Sequence, residues 1–93
     1  MADLHALAMN GDAQGIVQLL KSGGGDSRPA ANEIVYGRAP LHHAARKGHH
    51  DAAKALLICG ANPNLREANN GETPLHIACT EGHTQLISLL LER

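Results

Sequence analysis

Seven histidines and two cysteines in 93 residues are the side chains through which this chain could hold a metal or attack a substrate. Zinc draws its imidazole nitrogens to about 2.0–2.1 Å, so several ligands must converge on one point. These histidines recur instead of converging. His42 and His76 occupy the same place in two copies of one Pro-Leu-His pattern, with His5 at the corresponding place upstream. Neighbouring helices keep their axes roughly 8–10 Å apart, so one histidine per helix makes a ladder and not a cage. The adjacent pairs His42-His43 and His49-His50 diverge on a helix. Nucleophilic chemistry fares no better. Cys79 falls at the place that Ala45 takes in the earlier copy, a small position that reads as core filler. Cys59 lies near a helix end, and no His/Asp arrangement surrounds it. Gly23-Gly24-Gly25 follows a helix, the reverse of what phosphate binding uses. The chain is therefore expected to carry no catalytic residues, no metal and no cofactor, and not to be an enzyme.

The elements that place these residues are legible because the chain repeats itself. Gly37 to His49 reads GRAPLHHAARKGH and Gly71 to His83 reads GETPLHIACTEGH. The step from Gly37 to Gly71 lies within the period of roughly 20–50 residues that marks stacked repeat units. In the later copy Thr73 is a favoured N-cap, Pro74 suits the first helical position, and Gly82 suits a left-handed exit. A second helix starts near Thr84, with Leu86, Ile87, Leu89, Leu90 and Leu91 apolar. The earlier copy predicts helices from Pro40 to Lys47 and from His50 to Ile58, then an exit loop Gly60-Ala61-Asn62-Pro63-Asn64. Its cap is weaker, since Ala39 replaces Thr73 at a local cost of roughly 1 kcal/mol. A degraded copy precedes both, with Leu4 falling on Leu41, Gly11 on Gly48, Leu19-Leu20 on Leu56-Leu57, and Gly23 on Gly60. Gly15 and Gln18 make its outer face polar, as an end unit requires. Ser22 to Pro29 is glycine-rich and expected to be mobile. The chain thus reads as one domain, 1–93, of three units at about 1–36, 37–70 and 71–93.

Composition narrows the partners. Eight Lys and Arg against nine Asp and Glu give a net charge of −1, which argues against general binding of nucleic acid or a membrane surface. No apolar run approaches the roughly 18 residues of a membrane span, and the first dozen residues are too polar for a secretory signal. With one Tyr and no Phe or Trp, the core must be built from Ala, Leu, Ile and Val. Two unpaired cysteines fit a reducing compartment, cytoplasmic or nuclear.

Gly71-Glu-Thr-Pro-Leu-His-Ile-Ala, then Gly82-His83 and a leucine-rich helix, resembles an ankyrin repeat, and Gly37 to Asn64 matches in the same way. The resemblance covers nearly the whole chain. It implies an all-α solenoid of three stacked helix-turn-helix units with projecting loop fingers, and a concave surface that binds another protein. It also implies a structural role for the Pro-Leu-His histidine, bonded to backbone between units. Asn64 resembles the asparagine that an oxygenase hydroxylates in such repeats, but Asn62-Pro63 precede it where an acidic-plus-aliphatic pair is preferred. A loop asparagine bonding its own backbone is the simpler reading.

Residues that recur build the stack, and those that differ are free to select a partner. The latter are Met9 and Asn10; Val35, Tyr36, Arg38, Arg46 and Lys47; and Asn69, Asn70, Glu72, Thr80 and Glu81. Arg38, Arg46 and Lys47 call for acid on the partner, Glu72 and Glu81 for base. Tyr36 with Arg38 is the expected anchor, unless Tyr36 packs on Ile34 or the next finger. Ile87 and Leu91 should face a further unit. An array normally ends in a polar face, so two alternatives stand beside a self-sufficient binding module. The chain is the N-terminal targeting or regulatory arm of a longer, even enzymatic, protein, or it self-associates through this face.

Overall fold

The computed structural model describes residues 3–22 and 28–92. Among them run seven helices: α1 (Leu4–Asn10), α2 (Ala13–Ser22), α3 (Arg28–Ala31), α4 (Pro40–Lys47), α5 (His50–Ile58), α6 (Pro74–Glu81) and α7 (Thr84–Leu91). Helices α1, α4 and α6 pack successively in one row, and α2, α5 and α7 in another behind it. No strand forms among the described residues beyond a single antiparallel bridge between Val35 and Arg38. The all-α stack of helix pairs expected from the repeat is what the chain adopts.

Local sequence explains the helix ends. Thr73 Oγ1 accepts from the His76 amide at 3.3 Å, and His76 Nδ1 accepts from the Thr73 amide at 3.3 Å. Ala39 has no oxygen to offer, yet half of the device survives there, because His42 Nδ1 accepts from the Ala39 amide at 2.8 Å. The histidine thus offsets part of the missing cap.

Small residues let the rows approach. Ala8, Ala44, Ala45, Ala52, Ala53 and Ala78 are fully enclosed, and Ile16, Leu41, Leu56, Ile77 and Leu86 fill the space between them. Each such Ile or Leu contributes about 1.5–3 kcal/mol by leaving water. With no ring larger than an imidazole inside, most of the core rests on this interdigitation.

Two expectations need correction. Ser22 belongs to α2, and Arg28 and Pro29 to the short helix α3, whose Ala31 is buried. The Asn32 side chain ties α3 to the exit of α5, donating to the Gly60 carbonyl at 3.1 Å and accepting from the Asn62 amide at 2.6 Å. The intervening positions 23–27, including Gly23 and the triple glycine, lie outside the described residues. Cys79 is not core filler: Ala45 is enclosed, but Cys79 is exposed. The position is small because a following unit covers it, and at Cys79 no described residue does so.

Candidate functional site

Two histidine ladders fix the spacing of the units. His42 Nε2 donates to the Leu65 carbonyl at 2.7 Å, while its Nδ1 receives the Ala39 amide, so the ring is held neutral with its proton on Nε2. Burial lowers the His42 pKa, outweighing the Leu65 hydrogen bond and the Glu67 charge that raise it. His5 Nε2 bonds the Glu33 carbonyl at 2.9 Å and the Arg38 carbonyl at 3.2 Å. His76, by contrast, is exposed, and among the described residues its ring bonds only Thr73. The bridge between units implied by the resemblance is therefore made by His5 through Arg38, while His42 bonds the exit loop of its own unit and His76 makes no such bond among the described residues. The second ladder lies outside that expectation. His49 Nε2 bonds the Met9 carbonyl at 3.0 Å and His83 Nε2 the Arg46 carbonyl at 3.2 Å, each ring lying over the helix-ending glycine of the preceding unit. The recurring Gly-His pair was its signal in the sequence.

Two turns project beside the first row. In the first, Val35 and Arg38 exchange backbone hydrogen bonds at 2.9 and 3.1 Å around Tyr36 and Gly37. Both tip residues have positive φ, 52° and 80°, the signature of a type I′ turn that Asn-Gly normally fills. Gly37 takes this freely, whereas for Tyr36 the left-handed region costs on the order of 1 kcal/mol. No described residue encloses the ring in return, for Tyr36 is 95% exposed. This overturns the alternative that it rests on Ile34 or the next finger. The second turn closes through Glu67 N–H to the Glu72 carbonyl (2.8 Å), Gly71 N–H to the Glu67 carbonyl (2.9 Å), and Glu72 N–H to Asn70 Oδ1 (3.0 Å). An Ala68 N–H to Gly37 carbonyl bond of 2.9 Å joins the two fingers.

Between α1 and the first finger opens a cleft of about 330 Å³, lined by Asp3, His5, Ala6, Met9, Val35, Tyr36, Arg38 and His43. Four of the expected partner residues, Met9, Val35, Tyr36 and Arg38, meet here. The His5 and His43 rings stand edge to face with centroids 5.8 Å apart. Burial and then the neighbouring His5 lower the His43 pKa, so His43 too favours its neutral form.

Glu67 is the residue that sequence reasoning missed. Only 3% exposed, it receives Arg38 Nε at 2.7 Å and Arg46 Nη2 at 3.0 Å. Burial alone would raise its pKa; the Arg46 hydrogen bond and charge, with His42 and Arg38, outweigh that and hold the carboxyl below the usual range. The two arginines read as free are thus already shared with an internal acid. Arg46 Nη1 is enclosed without a hydrogen-bond partner among the described residues. The one hint was register, since Glu67 stands one repeat step after Glu33, but Glu33 is exposed.

The other expected positions lie outside the cleft. Asn10, Lys47, Asn69, Asn70 and Glu81 are exposed, Glu72 is half-buried, and the exposed Thr80 donates its hydroxyl to the His76 carbonyl at 3.0 Å. Ile87 is half-buried against the core, while Leu91 is 68% exposed where its counterpart Leu57 is 8% exposed. Asn64 is exposed, and the backbone bond expected of it is made instead by Asn62, whose Oδ1 accepts the Asn64 amide at 2.9 Å. Among the described residues no group of three or more His, Cys, Asp or Glu is placed to hold a metal, and no helix is long and apolar enough to cross a membrane.

The family model for ankyrin repeats, in three copies, matches residues 4–93. The chain belongs to the ankyrin repeat family. Ankyrin repeat protein nuc-2 of Neurospora crassa is 39% identical over 61 residues, which are 66% of this chain and 6% of nuc-2. The crystal structure of the human ASB11 ankyrin repeat domain superposes with a TM-score of 0.83 at 32% identity, over 99% of this chain and 39% of that one. The chain therefore spans a minor part of both relatives. Ankyrin repeats are in general protein–protein interaction modules, and the family is typically non-enzymatic.

Proposed function

We propose that this ankyrin chain holds a partner protein against the face formed by the first helices and the fingers, with the cleft beside Tyr36 as the anchoring point. The observation that carries the reading is Tyr36 itself: a fully presented ring, in a backbone conformation tyrosine disfavours, at the edge of an apolar cleft. A strained residue with no packing in return invites a functional explanation, and Tyr and Arg are the types enriched at interface hot spots. Met9, Val35 and Arg38 complete the anchor. Asn10, Arg46, Lys47, Asn69, Asn70, Glu72, Thr80 and Glu81 belong to the surrounding rim, where individual contributions are small. The same face would serve a module acting alone or one acting as the regulatory arm of a larger protein. A second reading, self-association, draws on the exposed Leu91.

The test uses Tyr36→Asn, which suits the turn and removes the ring. Wild type and variant, shown equally folded by circular dichroism, are used to capture proteins from lysate of the source cell. A protein retained by the wild type and lost by the variant supports the reading. Equal capture refutes it, and a concentration-dependent dimer abolished by Leu91→Glu in sedimentation would favour the second reading.

A further inference from the structure

Resting on the reading that the Tyr36 cleft is the anchoring point, the charges around it narrow what enters. Its size, about 330 Å³, is at the low end for small-molecule sites and suits one or two side chains. Ala6, Met9 and Val35 give it an apolar lining beside Tyr36, and two imidazoles line it too, of which His43 favours the neutral state. Its charged groups are asymmetric. Asp3, on the α1 side, has Oδ1 occupied by the Ala6 amide, leaving negative charge at that edge. Arg38, on the finger side, gives only Nε to Glu67; among the described residues neither of its terminal nitrogens is engaged. Arg46 shares the same carboxylate, so Arg38, Arg46 and Glu67 together retain a charge of 2 − 1 = +1. Glu67 also holds the Arg38 guanidinium by its Nε edge, which leaves the terminal pair, a fork that matches a carboxylate, for another partner.

We infer that the cleft takes a partner segment in which an aliphatic or aromatic side chain is followed or preceded by an acidic one, the apolar group entering between Met9 and Tyr36 and the carboxylate seating on Arg38. Glu67 serves as the positioning residue for that arginine. Asp3 disfavours the opposite placement, in which the acid would lie at the α1 edge.

The probes are the capped dipeptides N-acetyl-Leu-Glu-amide and N-acetyl-Leu-Gln-amide, titrated to tens of millimolar into the ¹⁵N-labelled chain and followed by amide and methionine-methyl shifts. The Leu-Glu probe should give saturable shifts at Met9, Val35, Tyr36 and Arg38, with affinity roughly two- to fivefold above the Leu-Gln probe, as expected for an ion pair on a side chain 41% exposed. Arg38→Gln should abolish that difference while leaving the weaker apolar binding in place. Equal binding of the two probes, or tighter binding of the uncharged N-acetyl-leucine amide than of either, overturns the acidic-neighbour inference but leaves the cleft as an anchor. Shifts confined to residues near Leu91, or no saturable shift with any probe, overturn both the inference and the anchoring role of the cleft.

Discussion

Gly48 and Gly82 offer a matched pair for measuring what stacking contributes. Both end a first helix with φ 75° and ψ 25°, and both are followed by histidine. An alanine Cβ at position 48 would stand 2.7 Å from the His83 ring, whereas at position 82 it would meet nothing within 4 Å. The left-handed backbone costs alanine about 1 kcal/mol at either place. At position 48 the His83 ring must also move, giving up its 3.2 Å bond to the Arg46 carbonyl, which adds about 1 kcal/mol. Disturbed packing of the displaced ring adds about 1 kcal/mol more. Gly48→Ala should therefore cost about 3 kcal/mol and Gly82→Ala about 1 kcal/mol. With a urea slope near 1.5 kcal/mol/M, the midpoints should fall by about 2 M and about 0.7 M. Urea unfolding followed by circular dichroism reads both. In a His83→Ala background the ring is gone, and Gly48→Ala should then cost no more than Gly82→Ala does. Equal costs in the wild-type background, or a Gly48 penalty that persists without His83, would refute the argument that the histidine sets the distance between units.

Other parts of the structure make their own predictions. Glu67→Gln keeps the shape but can hold only one arginine, and should destabilise by about 2 kcal/mol, against less than about 1 kcal/mol for the more exposed Arg38→Gln; the ordering of their urea midpoints checks this. Acid should weaken the fold in a defined window. His42 and His43 have pKa values lowered on folding, so the unfolded chain binds more protons and the stability they contribute is present above about 6.5 and lost as pH falls through their folded values. The unfolding free energy should drop between pH 7.5 and 5.5 by no more than about 1.4 kcal/mol per pH unit per histidine, less steeply in His43→Gln; urea unfolding across that range checks this, and a flat profile would contradict the neutral assignment. Glu67 acts lower, its contribution being complete above the ordinary carboxylate range and lost as pH falls through its depressed pKa. Tyr36→Asn should raise stability by about 1 kcal/mol by relieving the left-handed tyrosine, read calorimetrically as a melting temperature higher by about 4–8 °C.

What could be read in the sequence was whatever repeats. The helices Pro40–Lys47, His50–Ile58, Pro74–Glu81 and Thr84–Leu91 follow from Pro, Gly and leucine periodicity, signals carried by the backbone's own needs. Burial at a given register was less legible, because it depends on the unit above. Ala45 and Cys79, His42 and His76, Leu57 and Leu91 hold equivalent places, yet the first of each pair is enclosed and the second is not. Glu67 escaped because its partners are 29 and 21 residues away and nothing local distinguishes it. The short helix α3 escaped for a related reason, since its Asn32 anchor is completed by Gly60 and Asn62 of another unit.

The two fingers sharpen the case for Tyr36. The residue pair that a type I′ turn prefers, Asn-Gly, is present in the chain at Asn70-Gly71, one repeat step after Tyr36-Gly37. Asn70 does not use it: Tyr36 is the only non-glycine with positive φ among the described residues, and the Asn70 side chain caps Glu72 within a wider turn. The narrow turn is thus made by the pair that suits it less. Backbone propensity would place an asparagine at position 36, and burial gives no reason against one, since the ring is almost wholly in solvent. Conformational cost without a packing return is what the proposed anchoring role of Tyr36 would account for. The cleft beside it, apolar between Met9 and Val35 and charged at Arg38, is where that something would have to fit.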